Sequence, residues 1–482
     1  MDLHTSDFLP VATAASVVLL AVAAWTPRPV RAAWTTAAVL LTVLCGATAV
    51  IAQGWRWQYW PVSIAAVVTG AIAWYRLRVV PAPRSSGRCR GKRMVAGMVA
   101  TLCVVLSGLS AVSAWAFPVV VVPAPSGPAA VGTTVVELVD ERREETATPA
   151  PDDRRFVTVQ LWYPAARGGG PDVPLFGRDD SEARTVADEM AQMYGMPSFV
   201  LDDAVKARSR SALDASPAPD GLRWPVVLFS PGLGGVRTQS TVWAQELASH
   251  GYVVAAVDHP YDSGVVVRRD GTVVRSTVTA TGNDSEDERR AAVWTEVRAA
   301  DLRFVLDALE NIDCGQLSDV GAAGLLAGRL DVDRVAVAGH SLGGAAALLA
   351  AAQDNRFAAA INVDGLPRVA FKGRSPVLAL VSGQGTGSSD GDERYADALG
   401  RVLDTAAEPS YRLTVAGAGH LGFTDAPLYL PPIPALLGTL KREESLRIPA
   451  EASRAYLDAV LRGQGNGLTT TLAELGALDQ PS

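Results

Sequence analysis

The chain has 482 residues, of which 49% are hydrophobic and 19% are charged, and its mean hydropathy of +0.17 is high for a purely soluble protein. Residues 1–134 hold ten Lys and Arg against two Asp and Glu, whereas the remainder holds 33 against 48. This composition excludes a disordered chain, and the acidic remainder argues against nucleic-acid binding, which requires a basic surface.

Four apolar runs fill the front of the chain, and each is near or above the roughly 18–20 residues that cross a bilayer core. They cover residues 8–25, 32–52, 57–75 and 94–122. Asp2 and Asp7 precede the first run, where a signal peptide would carry basic residues. We therefore predict a membrane domain of four transmembrane helices over 1–122.

Basic loops set the orientation of such a domain. Lys and Arg cluster after the first and third runs, the loop between runs two and three carries only Arg56, and the N-terminus carries none. Both basic loops fit the cytoplasmic side of a bacterial-type plasma membrane, which places the acidic part outside the cytoplasm. No Asp or Glu lies within a run, so we interpret the helices as an anchor in the lipid bilayer rather than a transport pathway.

Residues 123–134 are rich in Pro, Gly and Ala and are predicted to be a linker, followed by one domain over 135–482. Compact apolar runs alternate with helical patterns there, which predicts a mostly parallel sheet with helices on both faces. The predicted strands are 156–163, 226–229, 252–257, 334–338, 359–363, 377–381 and 411–415. Residues 176–215 show two helical patterns and no strand, so we interpret them as an insertion that covers the site as a lid.

The residues Gly339-His340-Ser341-Leu342-Gly343 form a G-x-S-x-G motif between an apolar strand and an Ala-rich helix. That order places Ser341 on a tight turn with its hydroxyl above the sheet, as the nucleophile of a serine hydrolase requires. Side chains in place of the glycines would collide across the turn. The motif therefore predicts Ser341 as a catalytic nucleophile.

A serine nucleophile needs a base, and the chain offers five His. His4 precedes the first span and His250 ends a helix, whereas His259 follows a strand and is a candidate pocket residue. His340 adjoins the nucleophile and is a second pocket candidate, with its ring predicted to point away from the serine. His420 follows the last predicted strand and fits the order serine, acid, histidine, so we assign it as the general base.

The acid that orients this base is expected at the end of a strand. Asp364 follows the strand after the nucleophile helix, while Asp390 and Asp392 follow the next strand. Sequence order alone leaves these carboxylates open as alternatives. No CxxC or HExxH pattern is present, and only Cys314 lies in the acidic part, so we predict no metal, no other cofactor and no disulfide framework.

A glycine-rich loop, Ser230-Pro231-Gly232-Leu233-Gly234-Gly235, follows another predicted strand and opens a helix. Its glycines allow close backbone approach, which makes Gly232 and Gly234 candidate pocket residues. An oxyanion hole needs two backbone N–H donors, and we predict that Leu233 and Leu342 supply them. The loop matches neither GxGxxG nor GxxxxGK[ST], which argues against phosphate binding.

Four segments together resemble the platelet-activating-factor acetylhydrolase family of α/β-hydrolases. They are Leu161-Trp162-Tyr163-Pro164, the loop from Phe229 to Gly235, the motif from Gly339 to Gly344, and Asn362-Val363-Asp364-Gly365. The resemblance covers about residues 135–430 and implies an α/β-hydrolase fold with Ser341 as nucleophile, Asp364 as acid and His420 as base. It also implies Leu233 and Leu342 as oxyanion donors, and its Ser341–Asp364 spacing favours Asp364 over Asp390.

The chain departs from that family in two places. Members often have Ser-His-Gly where this chain has Ser230-Pro231-Gly232, and the four-span front is not part of the pattern. The expected function is a membrane-anchored serine esterase or lipase acting on an ester or lipid-like small molecule. The alternatives are a polyester- or xenobiotic-cleaving esterase resembling dienelactone hydrolases, an acyl transferase, and a catalytically inert hydrolase-fold binding module.

Overall fold

The structure of the chain is a computed structural model. It describes residues 8–23, 28–78, 89–150, 152–278, 281, 283–317, 321–368, 373–385 and 387–480. The chain divides into two compact units, Met1–Val120 and Val121–Ser482, whereas the sequence predicts that the membrane domain ends at residue 122.

The first unit contains four helices: α1 (Phe8–Ala23), α2 (Arg28–Gln53), α3 (Tyr59–Arg78) and α4 (Cys89–Ala116). In the described part of the chain, Ala32–Gln53 and Gly97–Ala116 are long and apolar enough to cross a membrane, while the apolar parts of α1 and α3 are shorter. Two of the four predicted spans therefore meet the length requirement, and spanning by α1 and α3 stays a prediction. The fourth predicted span, 94–122, extends beyond the observed helix, because α4 ends at Ala116, directly before Phe117-Pro118. A residue that precedes a proline disfavours the helical conformation.

The predicted orientation depends partly on the basic loop segment 79–88, and the argument against a signal peptide depends on Asp2 and Asp7, all of which lie outside the described residues. Among the described residues, α2 leaves Leu40, Leu44 and Ile51 exposed, each with at least 65% of its surface accessible. An apolar helix face of this kind is unfavourable in water and suits contact with lipid.

The second unit is built on a sheet and a separate hairpin. Its strands are β1 (Ala130–Glu144), β2 (Arg154–Ala165), β3 (Asp172–Pro174), β4 (Arg208–Leu213), β5 (Trp224–Ser230), β6 (Val253–Asp258), β7 (Val265–Val267), β8 (Val273–Arg275), β9 (Leu330–His340), β10 (Phe357–Val363), β11 (Pro376–Ser382), β12 (Ala407–Val415) and β13 (Ala477–Asp479). Eleven strands form one sheet in the order β13-β12-β11-β10-β9-β5-β6-β2-β1-β4-β3, and β7 pairs with β8. The central strands β6, β5, β9, β10, β11 and β12 are parallel, while β2 pairs antiparallel with both β6 and β1.

Helices cover both faces of this sheet. They are α5 (Asp180–Met193), α6 (Asp202–Lys206), α7 (Thr241–Ser249), α8 (Asp284–Asp313), α9 (Leu342–Gln353), α10 (Ser389–Leu403), α11 (Ala426–Tyr429), α12 (Pro434–Leu437), α13 (Arg442–Arg462) and α14 (Leu468–Leu475). Along β5, Val226 and Leu228 belong to a core that includes α8, whereas Val227 and Phe229 belong to a second core that includes α7 and α13. Burial on both faces explains why these strands are continuous apolar runs. The predicted parallel α/β architecture is confirmed, and each predicted strand overlaps an observed one.

The segment predicted to be a linker is largely part of the second unit. The strand β1 begins at Ala130, inside the predicted linker 123–134. The residues before it are hydrogen-bonded to α7 and its end: the Gly127 N–H donates to Ser249 Oγ at 3.0 Å, and Gln245 donates to the Pro123 carbonyl at 3.1 Å. The Pro- and Gly-rich residues before β1 therefore form an extended segment that is bound to the second unit, not a flexible linker.

The insertion 176–215 contains α5, a short 3₁₀ helix and α6, as predicted, but it ends in a strand that the sequence pattern did not predict. This strand, β4, pairs parallel with β1. In the first turn of α5, buried Glu182 forms an ion pair with Arg237, which also pairs with buried Asp258. Removing one partner of such a buried pair costs about 3–5 kcal/mol, so the start of α5 is firmly held. A lid role for this segment stays a prediction.

Candidate active site

Ser341 occupies a strained turn between β9 and α9. Its backbone has φ +55° and ψ −122°, a region that L-residues rarely adopt and that recurs at functional sites. A Cβ on Gly339 would collide with the Gly343 carbonyl, and one on Gly343 would collide with the Ser230 carbonyl. The two glycines are therefore required for the close crossing of strand and helix that presents the Ser341 side chain.

His420 and Asp364 are brought together from two other strand ends. His420 follows β12, Asp364 follows β10, and His420 Nδ1 lies 2.7 Å from Asp364 Oδ2. The other carboxylate oxygen, Oδ1, accepts a hydrogen bond from the Ser382 N–H at 2.8 Å. Because β9, β10 and β12 are parallel, their carboxyl ends place Ser341, Asp364 and His420 at one edge of the sheet.

The Asp364–His420 pair is electrostatically suited to orient the imidazole. Burial alone would raise the pKa of Asp364, but the hydrogen bond and the charge of His420 hold that pKa below its usual value of 3.8. The carboxylate therefore stays ionised at neutral pH and fixes the Nδ1–H tautomer of His420, which leaves Nε2 to act as base. Within the described residues, Ser341 Oγ is not hydrogen-bonded to His420. Such contacts commonly tighten when substrate binds.

The alternative acid lies elsewhere. Asp390 and Asp392 belong to the first turn of α10, and the side chain of Asp390 is exposed and accepts from the Ser389 hydroxyl at 3.3 Å. Of the carboxylates that sequence order left open, the structure brings Asp364 to His420 and leaves Asp390 on the surface.

The glycine-rich loop after β5 lies beside the nucleophile. A Cβ on Gly232 would lie 3.4 Å from Ser341 Cβ, and Gly234 has a φ of +66° that favours glycine. The Gly232 N–H donates to Gln239 Oε1 at 2.7 Å, whereas no group in the described part of the chain accepts from the Leu233 N–H. Leu342 is the first residue of α9, so its N–H has no partner within the helix. These are the two donors predicted from the sequence.

His340 supports His420 and does not line an open pocket. The His340 side chain is 1% exposed, its Nε2 lies 2.9 Å from the His420 carbonyl oxygen, and the two rings are 4.6 Å apart. Burial, and secondarily the charge of His420, lower the pKa of His340 to about 3. His340 is therefore neutral and donates through Nε2–H, which corrects its prediction as a pocket residue.

Replacing His340 with Gln should make stability less sensitive to acid. The pKa of His340 is about 3 in the folded protein and about 6.5 when exposed, so between these pH values only the unfolded chain binds the proton. The free energy of unfolding therefore falls as the pH falls through this window. The amide of His340→Gln can still donate to the His420 carbonyl but takes up no proton. The drop in Tm from pH 7 to pH 5 should be smaller in the variant, and an equal drop would contradict the neutral buried histidine.

His259 is likewise buried, with no exposed surface. Its Nε2 lies 2.9 Å from Ser230 Oγ and its Nδ1 lies 2.8 Å from Asp301 Oδ2. Burial lowers the pKa of His259, so the ring is neutral and accepts from the Ser230 hydroxyl. This Ser-His-Asp chain is closed to solvent, because Ser230 also has no exposed surface. His259 thus lies beneath the glycine-rich loop, which corrects its prediction as a pocket residue.

Sequence reasoning missed Arg298 and Gln239, which contact the glycine-rich loop. Arg298 does carry a signal, because it occupies a position of the apolar stripe of α8 together with Ala291, Thr295 and Leu302, all of them buried. A charged residue in such a stripe needs buried partners. Among the described residues, no group of three or more His, Cys, Asp and Glu side chains is placed to hold a metal ion.

Comparisons with known proteins identify relatives of this chain. The sequence profile of the family described as platelet-activating factor acetylhydrolase, isoform II, matches residues 116–468. A probable 1-alkyl-2-acetylglycerophosphocholine esterase from Arthroderma benhamiae is 28% identical over 50% of this chain and 58% of its own. The platelet-activating factor acetylhydrolase of Cavia porcellus is 28% identical over 43% of this chain and 49% of its own. The chain thus spans about half the length of these curated relatives.

A solved structure of a ferulic acid esterase from Streptomyces cinnamoneus is similar over a larger share. The two sequences are 30% identical, and the similarity covers 71% of this chain and 93% of the esterase chain. The two structures superpose with a TM-score of 0.58. This similarity confirms the predicted α/β-hydrolase fold. Since the family profile covers most of the chain, the protein belongs to the platelet-activating factor acetylhydrolase, isoform II, family.

Proposed function

We propose that the protein is a serine ester hydrolase in which Ser341, His420 and Asp364 form the catalytic triad. The observation that carries this proposal is the 2.7 Å contact between His420 Nδ1 and Asp364 Oδ2, at the sheet edge where Ser341 is presented on its strained turn. Family membership and the fold of the ferulic acid esterase support the same chemistry.

The mechanism follows from these positions. His420 Nε2 takes the proton of the Ser341 hydroxyl as the oxygen attacks the ester carbonyl carbon. The N–H groups of Leu233 and Leu342 donate to the resulting oxyanion, each contributing about 2.7–4 kcal/mol to the transition state. Collapse breaks the bond to the alcohol, which leaves with the proton from His420. Water, deprotonated by His420, then attacks the acyl-enzyme, and acid is released as Ser341 regains its proton.

The substrate class we propose is a short-chain ester of a lipid-like alcohol. One curated relative is named for 1-alkyl-2-acetylglycerophosphocholine, a 2-acetyl ether phospholipid, and another for platelet-activating factor. In this chain, exposed apolar side chains adjoin the loop that follows β5. Leu233 is 44% exposed, and Met193 at the end of α5, 38% exposed, has its Sδ 3.1 Å from the point where a Gly234 Cβ would be. A feruloyl ester is the alternative that the ferulic acid esterase supports.

The N-terminal helices are proposed to anchor this unit to a membrane. Two of them are long enough to cross, and α2 presents an exposed apolar face. With the basic loops cytoplasmic, the hydrolase unit would lie outside a bacterial-type plasma membrane. A signal sequence is the alternative for an apolar helix close to the N-terminus.

One experiment tests both proposals. Membranes from cells that make the full chain are washed with alkaline carbonate and assayed with 4-nitrophenyl acetate, a 2-acetyl ether phospholipid and ethyl ferulate. We expect activity in the washed pellet, with the acetyl phospholipid preferred. Activity only in the wash would contradict the anchor, a preference for ferulate would contradict the lipid substrate, and no turnover in either fraction would favour a binding module.

The same cells test the orientation. Intact cells should cleave a charged acetyl ester that does not cross the membrane. Cleavage that appears only after lysis would place the hydrolase unit in the cytoplasm.

A further inference from the structure

A buried guanidinium holds the backbone of the glycine-rich loop. Arg298 on α8 has no exposed surface. Its Nη1 donates to the Pro231 carbonyl and lies 3.3 Å from Ser230 Oγ, and its Nη2 donates to the Gly232 carbonyl at 3.2 Å. One side chain thus binds two consecutive carbonyl oxygens of the loop, a geometry for which the rigid fork of arginine is suited.

These contacts, together with the Gly235 N–H that donates to the same Gly232 carbonyl at 3.0 Å, fix where the loop N–H groups point. A trans peptide is planar, and its N–H points opposite to its C=O. In the Pro231–Gly232 peptide the carbonyl faces Arg298, and the N–H is taken by Gln239 Oε1 at 2.7 Å. In the next peptide the Gly232 carbonyl also faces Arg298, so the Leu233 N–H points away from the buried guanidinium. That N–H has no acceptor in the described part of the chain and is free to bind a ligand.

The guanidinium is itself fixed on its other side. Arg298 forms a two-pronged ion pair with Asp262, with Nη2 2.8 Å from Asp262 Oδ1. The Ser230 hydroxyl that accepts from Arg298 donates in turn to His259 Nε2, whose Nδ1–H donates to Asp301. Burial and the charge of Arg298 lower the pKa of His259, so the ring is neutral. Burial would raise the pKa of Asp301, but the charge and hydrogen bonds of Arg155 and the hydrogen bond of His259 hold it well below its usual value, so the carboxylate is ionised. Each member of this chain therefore has a matched donor or acceptor.

We propose that Arg298 is a positioning residue of the hydrolysis, which orients the Leu233 N–H toward the oxyanion by binding the Gly232 carbonyl of the same peptide. The proposal rests on the proposed function, because it assumes that the Leu233 N–H is an oxyanion donor. Arg298 does not touch the reacting atoms, and its effect is confined to the step in which charge develops on the carbonyl oxygen.

The test compares an ester with its thionoester, in which sulfur replaces the carbonyl oxygen. Sulfur is a weak hydrogen-bond acceptor, so turnover of the thionoester gains little from the oxyanion donors. Arg298→Lys keeps the charge beside Asp262 but lacks the fork that spans two carbonyls. We expect kcat for the ester to fall by about 10–10²-fold in the full-length variant, with a much smaller loss for the thionoester. The ester-to-thionoester ratio should therefore fall at least severalfold.

Arg237→Lys is the matched control, because Arg237 is also buried and paired with carboxylates but its side chain contacts neither loop carbonyl. Its ratio should equal that of the wild type even if stability falls, since loss of folded enzyme lowers both rates equally. If Arg298→Lys does not fold, Asp262→Asn loosens the same guanidinium and should shift the ratio in the same direction. An unchanged ratio in a folded variant would overturn the positioning role. Ester turnover that survives Ser341→Ala would instead overturn the proposed function.

Discussion

Replacing Ser341 with alanine is expected to lower ester turnover by about 10⁵–10⁶-fold, because the variant has no oxygen that can form the acyl-enzyme. The oxyanion donors and substrate binding remain, so a small rate above that of water should persist. The turn itself should survive, since alanine retains the Cβ and the flanking glycines relieve the crowding between β9 and α9. Initial rates with 4-nitrophenyl acetate measure the loss, and circular dichroism measures the fold.

Ser375→Ala is a suitable control for this substitution. Ser375 is buried just before β11, at the opposite end of the sheet from the site, and its hydroxyl donates to the Phe357 carbonyl at 2.6 Å. Loss of one such hydrogen bond costs about 1 kcal/mol of stability and should leave turnover near that of the wild type. Substantial activity in Ser341→Ala would mean that another group performs the attack.

Replacing Asp364 with asparagine is expected to lower kcat by about 10⁴-fold. Asparagine carries no negative charge beside His420 Nδ1. The imidazole therefore loses its preference for the Nδ1–H tautomer and the electrostatic stabilisation of its cation. The Ser382 N–H can still donate to the side-chain oxygen of Asn, which preserves the local backbone. The loss should therefore lie in kcat and not in folding.

Asp390→Asn provides the matched comparison, because it makes the same substitution at the acid that sequence order had left open. Its side chain lies on the surface of α10, and turnover should change by less than a factor of about two, as for most surface substitutions. A large loss in Asp390→Asn together with a small loss in Asp364→Asn would reverse the assignment.

The parts of the fold that sequence patterns predict well are those buried on two sides. Strands such as β5 and β10 are almost wholly apolar because helices cover both faces, and such runs are visible without a structure. The apolar pattern does not predict the strand β1, because this strand is not buried on both faces along its whole length. It carries charged residues such as Glu137, which pairs with Arg268, and follows a Pro- and Gly-rich segment, so its sequence is typical of a linker.

The residues of the candidate site also divide into those that local sequence predicts and those that depend on tertiary contacts. The motif around Ser341 is local, so a strand, a turn and a helix in sequence order are enough to predict it. The choice between Asp364 and Asp390 depends on which loop reaches His420, a contact between residues 56 positions apart. The roles of His259 and Arg298 depend on buried polar partners from three or more elements, and no single segment encodes such a network.

The most direct test of the activated serine is labelling of the full-length protein in lipid vesicles with a fluorophosphonate, with the modified residue located by tandem mass spectrometry. The account predicts a label on Ser341, strong suppression of that label in His420→Ala, and none on the buried Ser230. A label that is undiminished in His420→Ala, or that lies on another residue, or no label on the folded protein, would contradict a triad built on Ser341.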